Sequence, residues 1–142
     1  MTLQEYVSEI LLDVKTNGMS ALKMYSERFD NYSGELSVTD EEWNVGESIP
    51  EDDKSVIRKI IKRLENYHLK QKPNDLMYTN EDGSLYGLVR VPIQRIGIYV
   101  PSGKPLPSSL LMVAIPARIA GVKDIVVTSS PNNGKLNPYV LY

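Results

Sequence analysis

The sequence has 142 residues, 42% of them hydrophobic and 24% charged, and its sixteen basic against eighteen acidic side chains leave a formal net charge of −2. This is the composition of an ordinary globular chain of one domain's length; it excludes a disordered, collagenous or coiled-coil protein, and its charge balance argues against a nucleic-acid partner. With no cysteine and one histidine, the chain cannot supply a disulfide framework, an iron–sulfur or thiolate zinc site, a cysteine nucleophile, or two imidazole ligands to one metal.

In chain order, Thr2 and Glu5 stand at capping-box spacing, and Leu3, Val7, Ile10, Leu11 and Val14 recur at helical intervals up to Gly18. Leu22, Tyr25 and Phe29 continue the period in a second helix ending near Asp30-Asn31, so the spacing predicts a helical hairpin jointed at Gly18. Tyr32 to Gly34 reads as a turn and Leu36-Ser37-Val38 as a short extended piece. Thr39-Asp40-Glu41-Glu42 reads as a helix start leading to a single turn around Trp43. From Pro50 the apolar set Val56, Ile57, Ile60, Ile61, Leu64 and Tyr67 predicts the longest helix, ended by Pro73.

The texture then turns β-like. Leu76 to Thr79 and Ser84 to Val91 flank Asn80-Glu81-Asp82-Gly83, the pattern of an antiparallel hairpin. Ile96 to Val100 reads as a buried strand. A loop rich in proline and glycine follows, then a helix from Ser108 or Ser109 to Gly121 with Pro116 inside it, then the strand Ile125-Val126-Val127-Thr128. Strand, helix and strand in this order make a βαβ unit, the opening of a doubly wound parallel sheet. Asn137-Pro138 then caps a helix that has only Tyr139 to Tyr142 to grow into, too few residues to be stable alone. The expected fold is therefore α/β: N-terminal helices and a β-hairpin, then the first βαβ unit of a Rossmann-like doubly wound domain. The family resemblance below implies that residues 1–95 form part of a first domain and residues 96–142 the start of a cofactor-side domain, both incomplete. No apolar run reaches the eighteen or so residues of a membrane span, and the N-terminus lacks a signal peptide's regions. A cytoplasmic chain with no membrane partner is expected.

The loop from Pro101 to Ser109 lies between a parallel strand and a helix N-terminus, where α/β proteins bind anions and cofactors. It is not a phosphate loop, because Pro105 follows Gly103-Lys104, and the three spaced glycines of the dinucleotide fingerprint are absent. Ligand binding and a rigid connection both remain open for it. Tyr99, at the strand's C-terminal end, is the residue best placed to touch a ligand; its plainer role is a core tyrosine with a satisfied hydroxyl. His68 near the end of the long helix suits a capping or packing role. The basic run Lys54 to Arg63 reads as a solvated helix face, and the carboxylates Asp40-Glu41-Glu42 and Glu51-Asp52-Asp53 sit at helix starts, where they favour the dipole. The residues alone assemble no catalytic or metal-binding set.

Several segments together resemble the N-terminal portion of the histidinol dehydrogenase family. They are Asp13-Val14-Lys15, Gly18, Ala21-Leu22, Tyr25-Ser26, Phe29-Asp30 and Tyr67-His68-Leu69-Lys70-Gln71. The most specific run is Pro92-Ile93-Gln94-Arg95-Ile96-Gly97-Ile98-Tyr99-Val100-Pro101, continued by Pro107-Ser108-Ser109-Leu110-Leu111-Met112, Ile115-Pro116-Ala117 and Ile119-Ala120-Gly121-Val122. The resemblance implies an NAD-dependent, zinc-binding, usually homodimeric enzyme of histidine biosynthesis that oxidises L-histidinol through the aldehyde to L-histidine.

It also implies that Tyr99 contacts NAD. The family's zinc ligands and its acid-base histidine and glutamate fall in later sequence, so no catalytic and no metal residue is carried over. Neither cofactor is expected to bind this chain tightly, and whether the chain is by itself an enzyme stays open. A catalytically silent piece that pairs with itself or with a separately encoded remainder is the alternative, and a shift to another alcohol substrate a third. Ser102 stands where the family has the first glycine of Val-Pro-Gly-Gly, Met19 where it has Asp, and Ser130-Pro131 where it has Pro-Pro. If that glycine has positive φ, Ser102 costs roughly 1 kcal/mol.

Overall fold

The computed structural model describes residues 1–101 and 107–142. Ser102 and most of the loop after Tyr99 lie outside the described residues. Helices α1 (Leu3–Asn17) and α2 (Met19–Asp30) meet at Gly18, whose φ of +56° is a backbone state that glycine adopts at little cost. The Thr2–Glu5 capping box closes in both directions, with Thr2 N–H donating to Glu5 Oε2 at 2.7 Å and Glu5 N–H to Thr2 Oγ1 at 3.3 Å. The Tyr25 phenol of α2 lies beside Asp13 of α1, and this hydrogen bond raises the phenol's pKa above its ordinary value.

Two expectations in the next stretch are corrected. Leu36 to Val38 is irregular, with no strand to pair with, and the helix after Thr39 is longer than one turn, running as α3 (Asp40–Glu47). A second reciprocal capping box, Thr39 with Glu42, starts it, and its first-turn carboxylates lie at the positive end of the dipole. Helix α4 (Glu51–Gln71) begins after Pro50 with Glu51, Asp52 and Asp53 in its first turn and has His68 and Lys70 in its last.

The hairpin forms from β1 (Leu76–Thr79) and β2 (Leu85–Leu88), shorter than the sequence run suggests. Gly83 in its turn has φ +86°. All eight strand residues are exposed on both faces, although Tyr78 stacks on Tyr86 with centroids 5.6 Å apart. β3 (Arg95–Val100) and β4 (Asp124–Ser129) pair in parallel, in register from Arg95 opposite Asp124 to Val100 opposite Ser129. The crossover is α5 (Pro107–Ala120), which stays helical through Pro116 and ends at Gly121 with φ +99°.

Burial of β3 is one-sided, which corrects the expectation of a strand buried throughout. Ile98 and Val100 are buried, whereas Gly97 and Tyr99 on the alternate face are exposed. The buried face meets α5, and α5 in turn packs on α4. Ile57 of α4, Ile98 and Val100 of β3 and Ile115 of α5 form the main core, closed at one end by Leu141 of α6 (Pro138–Leu141).

That last helix is short, yet it forms, because three tertiary contacts supplement its Asn137 cap. The Tyr139 hydroxyl donates to Asp53 Oδ2 at 2.6 Å, Arg58 Nη1 donates to the Tyr142 hydroxyl at 2.9 Å, and the Lys54 ammonium lies 5.3 Å from the centre of the Tyr142 ring. Helix α3 supplies the rest of the seat. A Cβ at Gly46 would come within 2.8 Å of Leu141 backbone and side-chain atoms, so glycine is what lets the two helices touch.

Candidate functional site

The site is organised by the C-terminal ends of two parallel strands. In a parallel sheet these ends carry unpaired backbone groups and open onto the connecting loops, where ligands of α/β proteins are held. Here β3 ends in Val100-Pro101 and β4 in Ser129-Ser130. Clefts border the end of β4, two of them reaching Ser130. One, of about 610 Å³, lies between Pro101, Ser129, Asn132 and Lys135 and is walled by Glu42 and Val45 of α3. The other, of about 380 Å³, lies between Tyr25, Phe29 and Tyr32 on one side and Thr128, Ser130 and Pro131 on the other. Burial beside that second cleft, together with Glu42 and Glu35, raises the pKa of Tyr32, and its hydroxyl donates to the Glu35 carbonyl at 2.8 Å.

Tyr99 lines neither cleft. Side-chain alternation puts its ring on the sheet face opposite α5, in register with Thr128, where it is 64% exposed. The plainer role of a core tyrosine therefore does not apply among the described residues. An exposed aromatic ring one residue from the end of a parallel strand can lie along a planar ligand or donate its hydroxyl to one.

The structure does not bring His68 to this edge. It sits half-buried in the last turn of α4, its Nδ1 2.7 Å from Gln71 Oε1, while Gln71 Nε2 donates to the Tyr67 hydroxyl at 3.1 Å. This knot ties the helix end, and His68 lines a separate cleft of about 660 Å³ together with Asp75, Arg90 and Pro116. The basic run of α4 is partly engaged: Lys54 donates to the Glu47 carbonyl at 2.6 Å and lies 3.3 Å from its carboxylate, and Arg58 pairs with Glu51 as well as with Tyr142. The acidic clusters act at helix starts, with Asp53 also serving as acceptor for Tyr139. Among the described residues no three His, Asp or Glu side chains are grouped to hold a metal ion. Among the described residues no helix is long and apolar enough to cross a membrane.

Ser129, Ser130 and Asn132, which wall the clefts, were not singled out in the sequence. Their position just beyond a parallel strand was the available signal. Sequence reading also missed the partners of Tyr139 and Tyr142, which lie more than eighty positions away in sequence.

A βαβ unit with helices packed on one face and clefts at its C-terminal edge defines an α/β protein. The histidinol dehydrogenase family model matches residues 1–142, and the chain belongs to that family. It is 57% identical over 141 residues to histidinol dehydrogenase of Thermococcus kodakarensis, covering 99% of this chain and 37% of that protein. It is 38% identical over 144 residues to the Neisseria gonorrhoeae histidinol dehydrogenase, covering 97% and 34% respectively. The crystal structure of histidinol dehydrogenase from Elizabethkingia anophelis superposes on all of this chain with a TM-score of 0.94 at 30% identity, using 34% of that chain. The 142 residues thus span about a third of the length of these relatives and correspond to their N-terminal portion.

Proposed function

We propose that these residues form the cofactor-side edge of an NAD-dependent histidinol dehydrogenase, the whole of which oxidises L-histidinol through the aldehyde to L-histidine. Residues 1–95 belong to one domain of that enzyme and residues 96–142 open the domain that receives the cofactor. Family membership over the full 142 residues, combined with an exposed Tyr99 at the C-terminal end of β3, is the observation that carries this reading.

NAD, when bound, accepts the hydride. The residues here fit a role in holding it: Tyr99 offers an exposed ring beside the ends of β3 and β4, and it is the contact proposed for the cofactor. Zinc is different. One histidine, no cysteine and, among the described residues, no grouped carboxylates do not fit a zinc site. The metal's donors and the acid-base residues accordingly belong to family sequence outside this span, and the 142 residues alone do not turn over histidinol. A homodimer in the cytoplasm is the setting proposed for the whole enzyme.

The test pairs the 142-residue chain with a chimaera in which it replaces the matching third of the Thermococcus kodakarensis enzyme. NADH formation from L-histidinol is expected from the chimaera and not from the chain alone. Tyr99→Ala in the chimaera is expected to raise KM for NAD about tenfold, about 1.4 kcal/mol of binding, with KM for L-histidinol nearly unchanged. Turnover by the unaided chain would remove the claim that its catalytic groups lie elsewhere, and an unchanged KM for NAD would remove Tyr99 from the cofactor site.

A further inference from the structure

We infer that the Asn133-Gly134 pair, in the connection from β4 to α6, is a self-modification site at which the asparagine side chain cyclises onto the following amide and is hydrolysed to aspartyl and isoaspartyl forms. The sequence holds two Asn-Gly pairs, Asn17-Gly18 and Asn133-Gly134, and glycine obstructs this ring closure least because it carries no Cβ. The reaction needs an amide nitrogen able to lose its proton, a side-chain carbonyl able to swing over it, and water. The Gly134 nitrogen bonds to Cγ of Asn133, the Cγ–Nδ2 bond breaks, and ammonia leaves with the amide proton. Water then opens the succinimide ring at either carbonyl, so water is the only co-reactant.

The structure separates the two pairs. At Asn17-Gly18 each moving part is held: Gly18 N–H donates to the Val14 carbonyl at 2.8 Å, Asn17 Nδ2 to Asp13 Oδ1 at 2.6 Å, and the Ser20 hydroxyl to the Asn17 carbonyl at 2.7 Å. Ring closure there requires the end of α1 to unwind. Asn133 and Gly134 are instead the two central residues of a tight turn, with φ of +51° and +73°, closed by the mutual backbone bonds of Asn132 and Lys135 at 2.9 and 3.2 Å. Residues 132 to 135 are all exposed, and their bridge stands outside any strand. Among the described residues the Gly134 N–H has no backbone acceptor. Opening so isolated a turn costs little. Asn132, Gly134 and Lys135 line the cleft of about 610 Å³, so the reaction sets a new carboxylate at its lip. The isoaspartyl form also lengthens the backbone by a methylene, which a two-residue turn does not accommodate. No cofactor or substrate is assumed.

The test compares the two pairs within one molecule. The 142-residue chain and the chimaera, each shown to be folded by a cooperative thermal melt, are incubated at mildly alkaline pH, and the peptides spanning positions 17 and 133 are followed by mass for the exchange of NH₂ for OH. Conversion at Asn133 is expected to run more than about tenfold faster than at Asn17 in both folded proteins, because the reaction follows the population of the open form. In concentrated urea, where neither pair is held, the two rates are expected to agree within about threefold, which separates the effect of the fold from that of the flanking residues. Chromatography is expected to resolve two products of equal mass at position 133, aspartyl and isoaspartyl. Equal rates at the two positions in either folded protein, or faster conversion at Asn17, overturn the proposal. So does an aspartyl product alone, the mark of direct hydrolysis without the ring.

Discussion

Gly46 and Gly97 sit in two regions of the molecule that have reached different degrees of closure. At Gly46 the close approach is made: α3 lies against α6, Leu141 is buried, and Tyr139 and Tyr142 hydrogen-bond back to α4. At Gly97 the backbone leaves room of the same kind with nothing described in it. The difference teaches where the 142 residues are self-sufficient. The α3 to α6 side holds the buried residues Ile57, Ile98, Val100 and Ile115, whereas every side chain on the open sheet face and in the β1–β2 hairpin is exposed.

The contrast is broken most strongly from the closed side. Gly46→Val forces α3 and α6 apart and is expected to cost about 3 kcal/mol, the upper end for overpacking, read as a lowered midpoint in urea denaturation. Leu141→Ala removes the side chain that seals the core and is expected to cost about 2 kcal/mol, since the site can partly collapse at this end of the fold. Val126→Thr on the open face is expected to change stability by less than about 0.5 kcal/mol, because no described neighbour is lost. Equal costs at Leu141 and Val126 would erase the distinction.

The smallest effect is electrostatic. The hydrogen bond to Asp53 raises the Tyr139 pKa above the ordinary 10.0. A group whose pKa is raised by folding contributes its full stabilisation below its unfolded pKa and loses it as pH rises through the folded value. The seat of α6 is therefore expected to weaken only above about pH 10, and the Tyr139→Phe protein to lack that part of the alkaline dependence in a thermal melt series. Identical alkaline profiles for the two proteins would remove Tyr139 from the latch.

Much of this was legible in the sequence because it is encoded locally. Thr2–Glu5 and the acidic start after Thr39 mark helix beginnings, Gly18 and Gly121 mark ends, Asn80 to Gly83 marks the hairpin turn, and Asn137-Pro138 marks α6. The family itself was legible in the run from Pro92 to Val122. What escaped depends on distant partners. Leu36 to Val38 has extended propensity but no neighbouring strand, α3 gains its second turn by packing on α6, and the Ile96 to Val100 run reads as buried on both faces when only α5 covers it. The cleft walls at Ser129 and Ser130 were hidden for the same reason, as a turn becomes a cleft only when α2 and α3 stand beside it.

Amide hydrogen exchange of the 142-residue chain, followed by NMR, tests the division between closed and open regions most directly. Amides of α4, α5 and the β3–β4 pair are expected to exchange with the chain's highest protection, α6 to follow closely, and β1–β2 to exchange nearly as fast as an unstructured peptide. Protection of the hairpin equal to that of α4 would contradict the account, because the exposed region would then be as firmly closed as the packed one.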